Sequence, residues 1–316
     1  MIIGFIGLGR MGNAMARRLL RHGVGVIAYN RSSDPYPSLK QAGAVIVQSA
    51  REVASSLKGR KIIWLMVPQG KPVDELISEM VGAYSNTPLS ALTRGDIIID
   101  GGNSNYLDSR RRARGLKRKG IYFLDIGTSG GITGEKDGWC FMVGGEKKAY
   151  RVIEPMLKIM SHPRGGYLYC GPTGAGHLVK TVHNGIEVGM MEAIAEGLAV
   201  LQTSRFKLRL ADIADVWTKK SIIDSRLIAW ARDALRNPQF TRVAPYVEGG
   251  TTGKWTVEEA NRRGVHVPAI IASLRERVRS RKGKGSFAHK VVAALRQEFG
   301  GHSVKILNSR IGISKR

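Results

Sequence analysis

Four polar residues share one face of a predicted helix in the second half of the chain. They are Lys180, His183, Asn184 and Glu187, at positions i, i+3, i+4 and i+7. At 3.6 residues per turn these positions fall within an arc of roughly 100°. Core packing does not need an amine, an imidazole, an amide and a carboxylate together, whereas proton transfer could use all four. A solvated polar stripe on an amphipathic helix is the alternative interpretation.

The first 30 residues contain a glycine pattern in the setting that dinucleotide binding requires. Met1 to Ile6 reads as a buried strand, and Gly7-Leu-Gly-Arg-Met-Gly12 follows at once. A helix is predicted over 13–21 and a second strand over 24–29. Such glycines permit a tight turn and the close approach of a pyrophosphate, which the helix N-terminus attracts through free N–H groups. The segment therefore predicts a nicotinamide or flavin dinucleotide site.

The end of the second strand bears on the type of cofactor. An NAD enzyme usually carries Asp or Glu there, where it binds the ribose 2′-hydroxyl. Here the residues are Asn30, Arg31 and Ser32, without a carboxylate. A guanidinium beside amide and hydroxyl donors suits a 2′-phosphate. The segment favours NADP, while Asp34 keeps NAD open.

Strands and helices alternate through the first half of the chain. Further strands are predicted over 44–47, 61–67, 96–100 and 121–126, and helices over 51–57, 73–81 and 108–119. The alternation predicts an α/β fold with a doubly wound, Rossmann-type parallel sheet and ligands at the carboxyl ends of its strands. Two glycine-rich loops are expected at those ends, Asp100-Gly-Gly-Asn-Ser104 and Asp125-Ile-Gly-Thr-Ser-Gly-Gly131. They could approach a substrate closely, or they could be ordinary loops that need glycine for positive φ.

Helical periodicity replaces this alternation after Pro172. Helices are predicted over 177–201, 210–218, 221–235, 256–262, 267–279 and 289–298. The first of them includes an apolar run that carries Glu192 and Glu196, so it reads as a buried helix and not as a membrane span. We therefore predict two domains. Residues 1–174 form the dinucleotide-binding domain, and residues 175–316 form an all-helical domain with a C-terminal tail.

The chain is strongly basic, with 50 Lys and Arg against 25 Asp and Glu and a net charge of +25 over 316 residues. This balance attracts anions, whether phosphorylated metabolites, nucleic acid or anionic lipid. The densest basic run, Arg110 to Lys119, has no interleaved aromatic residue for base stacking. It is interpreted as a solvated helix face, so no specific nucleic-acid partner is expected.

Cysteine content and the N-terminus predict the compartment. Cys140 and Cys170 form no disulfide framework and no C-x-x-C motif, which fits a reducing cytosol. The N-terminus lacks the basic region and apolar core of a signal peptide. No cluster has metal-ligand spacing. The expectation is a cytoplasmic protein that requires neither a membrane nor a metal.

These motifs, in this order, resemble the short form of the 6-phosphogluconate dehydrogenase family. The resemblance runs from Gly7 to His302. It rests on the segments 7–12, 100–104, 128–131, 174–187, 253–256 and 296–302. It implies oxidative decarboxylation of 6-phosphogluconate, a phosphorylated sugar acid, to ribulose 5-phosphate and CO2 in the pentose phosphate pathway and in gluconate utilisation, with reduction of NADP or NAD.

The resemblance also implies roles for individual residues. Lys180 is the general base that accepts the proton of the substrate 3-hydroxyl, and Glu187 is the general acid that protonates the enediol. The implied substrate-binding residues are Asn103, Ser129, Gly130, Gly131, His183, Asn184, Arg277, Arg296 and His302. The candidate cofactor contacts are Gly7, Leu8, Gly9, Arg10, Met11, Gly12, Asn30, Arg31, Ser32, Val67 and Asn103.

The resemblance also matches Arg277 and Arg296 to phosphate-binding positions of the family. Arg296 and His302 would enter the active site of a neighbouring subunit from the C-terminal tail, which implies a homodimer or homotetramer.

Three positions depart from the family pattern. Val188 and Gly250 stand where the family usually has a phosphate-binding tyrosine and, in long members, a phosphate-binding lysine. Asn30 and Arg31 stand where short members usually carry the aspartate of an NAD enzyme. A related β-hydroxyacid dehydrogenase acting on an unphosphorylated 3-hydroxy acid therefore stays open, although segment 100–104 argues against it. The net charge leaves a third hypothesis open, in which the chain binds a dinucleotide and a polyanion without catalysing a reaction. The presence of both Lys180 and Glu187 argues against this hypothesis.

Overall fold

The computed structural model describes residues 1–82, 90–250 and 252–307. The chain consists of two compact units, Met1–Thr181 and Val182–Arg316. The division lies inside a long helix, and the boundary predicted after residue 174 stays a prediction.

An eight-stranded sheet organises the described part of the first unit. Its strands are β1 Ile2–Ile6, β2 Gly25–Tyr29, β3 Val45–Ile46, β4 Ile62–Leu65, β5 Ile97–Asp100, β6 Tyr122–Ser129, β7 Cys140–Gly145 and β8 Tyr167–Gly171. The strand order is β3-β2-β1-β4-β5-β6-β7-β8. Neighbouring strands are parallel except for the antiparallel pair β6 and β7. The predicted α/β, largely parallel, doubly wound sheet is confirmed, with two further strands at one edge.

Helices cover both faces of the sheet. In the first unit they are α1 Arg10–Arg21, α2 Tyr36–Gln41, α3 Ala50–Ser56, α4 Lys71–Val81, α5 Tyr106–Lys117, the short α6 Gly134–Asp137 and α7 Lys147–Met160. Side chains alternate between the faces along β4: Trp64 belongs to the core shared with α1 and α7, and Ile63 to the core shared with α3, α4 and α5. Because both faces are covered, the central strands consist mainly of apolar residues, as parallel strands usually do.

The helix α8, Ala175–Gln202, carries the four polar residues of interest and continues from the first unit into the second. The second unit continues with α9 Leu210–Trp217, α10 Arg226–Arg236, α11 Thr252–Arg262, α12 Pro268–Arg281 and α13 Phe287–Gly300. Its core includes Met191 and Leu198 of α8, Ala231 of α10 and Val292 of α13. This agrees with the predicted helical second half.

Several helix starts differ from the prediction by one to five residues, and two of them illustrate how the ends are determined locally. The helix α1 begins at Arg10, three residues before the predicted start, and Gly9 is its N-cap residue. The helix predicted from Ser221 begins only at Arg226, where the Ser225 hydroxyl accepts the Ile228 N–H at 3.2 Å and caps the first turn. Within the described ranges, every helix is too short or too polar to span a membrane.

Candidate active site

The turn between β1 and α1 has the shape of a pyrophosphate cradle. Gly7 has a φ of +94°, and a Cβ there would overlap the Met66 carbonyl oxygen. A Cβ on Gly12 would overlap the Gly7 carbonyl oxygen, so this glycine allows the helix to pack directly on the turn. A Cβ on Gly9, at the N-terminus of α1, would meet no atom within 4 Å. The open side of the turn therefore faces N–H groups and the positive end of the helix, which fits a dinucleotide.

Asn30 connects the end of β2 to this turn. Its Oδ1 accepts the Leu8 N–H at 2.8 Å, and its amide nitrogen donates to the Ser32 carbonyl oxygen at 2.9 Å. The side-chain amide is therefore engaged in shaping the loop. Arg31 and Ser32 are exposed beside it. The exposed guanidinium of Arg31 is therefore a cationic group that follows the end of β2.

The loop after β5 contacts the carboxyl-terminal part of β6. Asn103, with a φ of +56°, donates from Nδ2 to the Thr128 carbonyl oxygen at 3.2 Å, and its Oδ1 accepts the Thr128 N–H at 2.9 Å. Asp100 is fully buried and accepts the Gly102 N–H at 3.1 Å and the Ser104 hydroxyl at 2.7 Å. These bonds hold the loop after β5 in a form that presents Asn103 beside Thr128.

The second predicted loop is shorter than expected. Residues 125–129 are not loop, because β6 continues to Ser129 in antiparallel pairing with β7. Only Gly130 and Gly131 then leave the strand, with φ of +125° and +57°. The Trp139 indole N–H donates to the Gly131 carbonyl oxygen at 3.0 Å and holds the turn. Ser129 is thus the last strand residue before a glycine pair, at the edge where ligands of such sheets bind.

A buried carboxylate of β6 caps the N-terminus of α8. Asp125 Oδ1 accepts the Gly174 N–H at 2.7 Å, and Oδ2 accepts the His177 N–H at 2.9 Å. Burial raises the pKa of Asp125, and the charge of His177 and the two N–H groups oppose that rise. The His177 ring is held by a 2.7 Å bond between its Nδ1 and the Ser109 hydroxyl. Sequence reasoning missed this cap, although an aspartate within an apolar strand was its visible signal.

Lys180 follows one turn after this cap and is only 5% exposed. A Cβ on Gly127 would overlap Lys180 Cβ, and a Cβ on Gly176 would overlap the Asp125 carbonyl oxygen. Two glycines, one on β6 and one on α8, therefore let the helix lie directly on the strand. Burial raises the pKa of Cys140 and the charge of Lys180 lowers it, so the ammonium is within electrostatic range of the start of β7. The burial of Lys180 contradicts the solvated-stripe alternative at that position.

The other three residues of the helix face belong to the second unit. His183 Nδ1 is 3.3 Å from Asn184 Oδ1 and 3.6 Å from Glu187 Oε2. A Cβ on Gly185, at the side of the helix toward α11, would meet Thr256 at less than van der Waals distance. Because α8 is continuous, Lys180 and Glu187 lie seven residues apart on one helix, which is about two turns.

Two buried arginines of the second unit interact electrostatically with each other. Arg277 of α12 is 7% exposed, and its Nε and Nη2 make no hydrogen bond within the described residues. Burial, together with the charge of Arg296, lowers the pKa of Arg277 to about 10, while the charge of Glu187 opposes this. Arg296 of α13 is 8% exposed and donates from Nη1 to the Glu248 carbonyl oxygen at 2.8 Å. Two buried guanidinium groups, one of which has unpartnered N–H groups within the described residues, are what an anion site requires.

A cavity of about 330 Å³ adjoins Arg277 between α11 and α12. Its charged lining consists of Lys254, Arg275, Arg277 and Arg281 against Glu258. With four basic side chains and one acidic side chain, the cavity favours anions.

The two departures from the family's phosphate-binding pattern lie near this cavity. Gly250 lines it, and a Cβ there would meet no atom within 4 Å. Val188 is 5% exposed and packs on α11, 3.3 Å from the position of a Cβ on Gly253. Position 188 is therefore a packing position in this chain.

His302 follows α13. Its N–H donates to the Arg296 carbonyl oxygen at 3.4 Å, and its ring lies 6.0 Å from the Phe299 ring. Residues 308–316 of the predicted tail lie outside the described residues. The entry of Arg296 and His302 into a neighbouring subunit stays a prediction, and within one chain Arg296 already acts on Arg277.

Among the residues that the structure describes, no three His, Cys, Asp or Glu side chains are grouped so that they could hold a metal ion.

Two family models together match most of the chain. The model described as the NAD binding domain of 6-phosphogluconate dehydrogenase matches residues 2–171, and the model of its C-terminal domain matches residues 176–309. The NAD(+)-dependent, decarboxylating 6-phosphogluconate dehydrogenase of Haloferax volcanii is 37% identical over 96% of this chain and 98% of its own length. The decarboxylating enzyme of Bacillus licheniformis is 39% identical over 92% of this chain and 64% of its own length.

Solved structures show the same relationship. A Plasmodium falciparum 6-phosphogluconate dehydrogenase, solved without ligand, with its cofactor NADP+ and with its substrate 6-phosphogluconate, has a TM-score of 0.78 and 30% identity. The match covers 90% of this chain and 63% of that one. A 3-hydroxyisobutyrate dehydrogenase from Salmonella typhimurium, at 19% identity and a TM-score of 0.71, shares the fold. This chain thus spans nearly all of the Haloferax relative and under two thirds of the longer ones.

Proposed function

Because the chain belongs to the 6-phosphogluconate dehydrogenase family, we propose that it converts 6-phosphogluconate to ribulose 5-phosphate and CO2 with reduction of NADP or NAD. The observation that carries the substrate assignment is Arg277. It is a buried guanidinium with two nitrogens that lack partners in the described chain, and it lies in electrostatic range of the buried Arg296. Removing such cations from water is costly unless an anion pairs with them. A phosphate group supplies the charge and the acceptor oxygens.

Lys180 is the proposed general base. It is 5% exposed, and a lysine accepts the proton of a hydroxyl group only as the neutral amine, so this side chain is proposed to take the proton of the substrate 3-hydroxyl. The dinucleotide, when bound, accepts the hydride from C3. Asn103, held beside Thr128, and Ser129, Gly130 and Gly131 are proposed to bind the sugar acid at the strand ends.

His183 and Asn184 are proposed to hold the carboxylate and hydroxyl groups of the substrate. The 3-keto group accepts the electrons released when CO2 leaves, and Glu187 then protonates the enediol. Its 3.6 Å approach to His183 gives Glu187 a neighbour through which its carboxyl can be oriented and protonated. The decarboxylation of a 3-keto acid needs no metal in this scheme.

NADP is the proposed preferred cofactor. Asn30 is engaged with Leu8 and Ser32, so the exposed Arg31 is the proposed partner of a 2′-phosphate. The proposed assembly is a homodimer or homotetramer in which Arg296 and His302 reach a neighbouring active site. The cytoplasm is the proposed compartment, because both cysteines are free thiols.

The second candidate is the β-hydroxyacid dehydrogenase that acts on an unphosphorylated acid. Val188 favours it, because this buried packing residue brings no hydroxyl to the anion site. The two candidates differ in their dependence on Arg277. A phosphorylated substrate needs that guanidinium, and an unphosphorylated acid does not.

Steady-state kinetics on 6-phosphogluconate, with NAD and NADP in parallel, test the proposal. We expect R277M to raise the KM for 6-phosphogluconate roughly 10- to 100-fold, equivalent to about 1.4–2.8 kcal/mol of lost binding. The KM for the cofactor should stay unchanged. R236M is the control, because Arg236 is an exposed residue of α10, and this variant should behave as the wild type. The proposal would be overturned if the wild type formed no reduced nicotinamide with 6-phosphogluconate. It would also be overturned if R277M had the same KM for 6-phosphogluconate as the wild type.

A further inference from the structure

Glu192 is a buried carboxyl group that the proposed reaction does not use. It is 4% exposed, and its Oε2 makes no hydrogen bond within the described part of the chain. It lies on α8 one turn beyond Val188. The Cβ position of Gly253 lies 3.3 Å from Val188 and 3.1 Å from Leu274 of α12, so these two side chains meet at the same interface. Arg277 follows Leu274 by three residues, which places it on the same face of α12.

Glu192 and Arg277 are therefore opposite charges buried at one helix interface. Each acts electrostatically on the other, yet no ion pair within 4.0 Å joins them among the described residues. Both retain polar atoms without partners, namely Oε2 of Glu192 and Nε and Nη2 of Arg277. A group that binds to Arg277 must act on Glu192 as well.

Other charged groups also surround this carboxyl. Glu196 acts on it from its own helix and Glu276 from α12. Glu276 Oε2 is in turn 3.3 Å from Nε2 of the buried His289 on α13. Burial and the charges of Glu196 and Glu276 raise the pKa of Glu192 to about 7, while Arg277 opposes the rise. The group thus changes its charge near neutral pH.

We infer that Glu192 is a positioning residue for the anion site. In its ionised form it is the internal counter-charge of Arg277 in the ligand-free protein, and in its protonated form it leaves the guanidinium to the phosphate of the substrate. This inference rests on the proposed function, because it takes Arg277 as the phosphate-binding group. It predicts that substrate binding is coupled to the uptake of a proton by Glu192.

The sign of this coupling separates Glu192 from the phosphate itself. A bound dianion disfavours a carboxylate nearby, so binding draws a proton onto Glu192 and weakens as pH rises above 7. The Kd for the substrate can rise by at most about tenfold for each pH unit, because a single proton is coupled to binding. A phosphate ester has a second pKa near 6, and pairing with arginine lowers it, so that group releases a proton on binding. Uptake near pH 7 and release near pH 6 are opposite in sign.

Isothermal titration calorimetry with 6-phosphogluconate is the direct test. Titrating the full-length protein between pH 6 and 8.5, in buffers of different ionisation enthalpy, counts the protons exchanged. At pH 7 the wild type should take up at most about half a proton, because Glu192 is already half protonated there, and the uptake should approach one proton as pH rises above 7. E192Q keeps the shape of the side chain without its charge, so it should take up none in this window. Its KM should stay nearly constant from pH 6.5 to 8, while the pH profile of kcat should match that of the wild type.

E196Q is the matched control, one turn further along the same helix. It should retain the proton uptake but shift the midpoint to lower pH, because it removes a charge that raises the pKa of Glu192. Substrate binding without proton uptake in the wild type would overturn the inference alone, as would uptake by E192Q equal to that of the wild type. Absence of binding at every pH would overturn the proposed function with it. If E192Q does not fold, the wild type and E196Q decide the question.

Discussion

The Asp125 carboxylate accepts the backbone N–H of His177 at 2.9 Å, and this bond joins β6 to the first turn of the helix that carries Lys180. The other carboxylate oxygen accepts the Gly174 N–H at 2.7 Å. The sheet therefore determines where the helix begins. Since Lys180 lies three residues beyond His177, the proposed general base is positioned by a cap that has no part in the chemistry.

D125A should lower both the stability and the turnover of the protein. The substitution leaves two N–H groups at the start of α8 without their acceptor, and the loss of a helix cap costs about 1–2 kcal/mol. Urea unfolding should show this loss. D125N retains one acceptor and should fall between D125A and the wild type. D34N, at an exposed position, serves as the control. Equal stability in D125A and the wild type would show that the cap is unimportant.

G127A should disturb Lys180 without removing it. The added Cβ would overlap Lys180 Cβ, so the helix or the strand must move. Overpacking of this kind costs about 1–3 kcal/mol of the free energy of unfolding. We expect a lower melting temperature together with a lower kcat. G115A, in α5 where a Cβ would meet no atom within 4 Å, should be neutral or slightly stabilising. Wild-type kcat in G127A would contradict the close packing of helix and strand.

K180M should abolish turnover and leave cofactor binding nearly intact. Methionine matches the length of the lysine stem but cannot accept a proton, and the loss of a general base typically costs 10²- to 10⁴-fold in rate, so we expect a kcat at least roughly 10²-fold lower. Rapid-quench or steady-state assays and fluorescence titration with the reduced cofactor measure the two effects separately. K147M, at an exposed site on α7, is the control. Lost cofactor affinity in K180M would contradict its assignment as the base.

R31A should change the choice of cofactor. If the guanidinium binds the 2′-phosphate, its removal costs about 1.5–3 kcal/mol with NADP and nothing with NAD. The ratio of kcat/KM for NADP to that for NAD should then fall by roughly 10- to 100-fold. K40A, on the exposed side of α2, should leave the ratio unchanged. An equal loss with both cofactors would assign Arg31 to a general binding role.

E192Q should raise the stability of the protein at alkaline pH relative to its stability at acidic pH, compared with the wild type. The folded pKa of Glu192, about 7, lies above the ordinary value of 4.5, so folding favours the protonated form. The stability associated with that proton is complete below pH 4.5 and is lost as pH rises through 7. A shift of this size corresponds to roughly 3 kcal/mol as an upper limit. The advantage of E192Q in urea unfolding should therefore be about 2 kcal/mol larger at pH 8 than at pH 5. E258Q, at an exposed site on α11, should show no such change.

The fold was predictable where a requirement is local. The glycine spacing from Gly7 to Gly12 and the alternation of apolar strands with amphipathic helices are written in neighbouring residues, and they led to the parallel sheet that the structure shows. The same holds for the helical face from Lys180 to Glu187. The edge of the sheet was less predictable, because β7 is a short apolar run that begins after Trp139 and ends in two glycines. Its antiparallel pairing depends on β6, not on its own residues.

The sequence alone determined which residues could perform chemistry and how the helices and strands alternate, because these depend on residue type and on spacing of a few positions. Only the tertiary structure decided what surrounds each group. The bond from Asp125 to Gly174 spans 49 positions, and Glu192 meets the charge of Arg277 across two helices. Burial then determines the protonation of such groups, since the cost of a charge depends on the solvent and the charges around it. That environment exists only after distant segments have packed together.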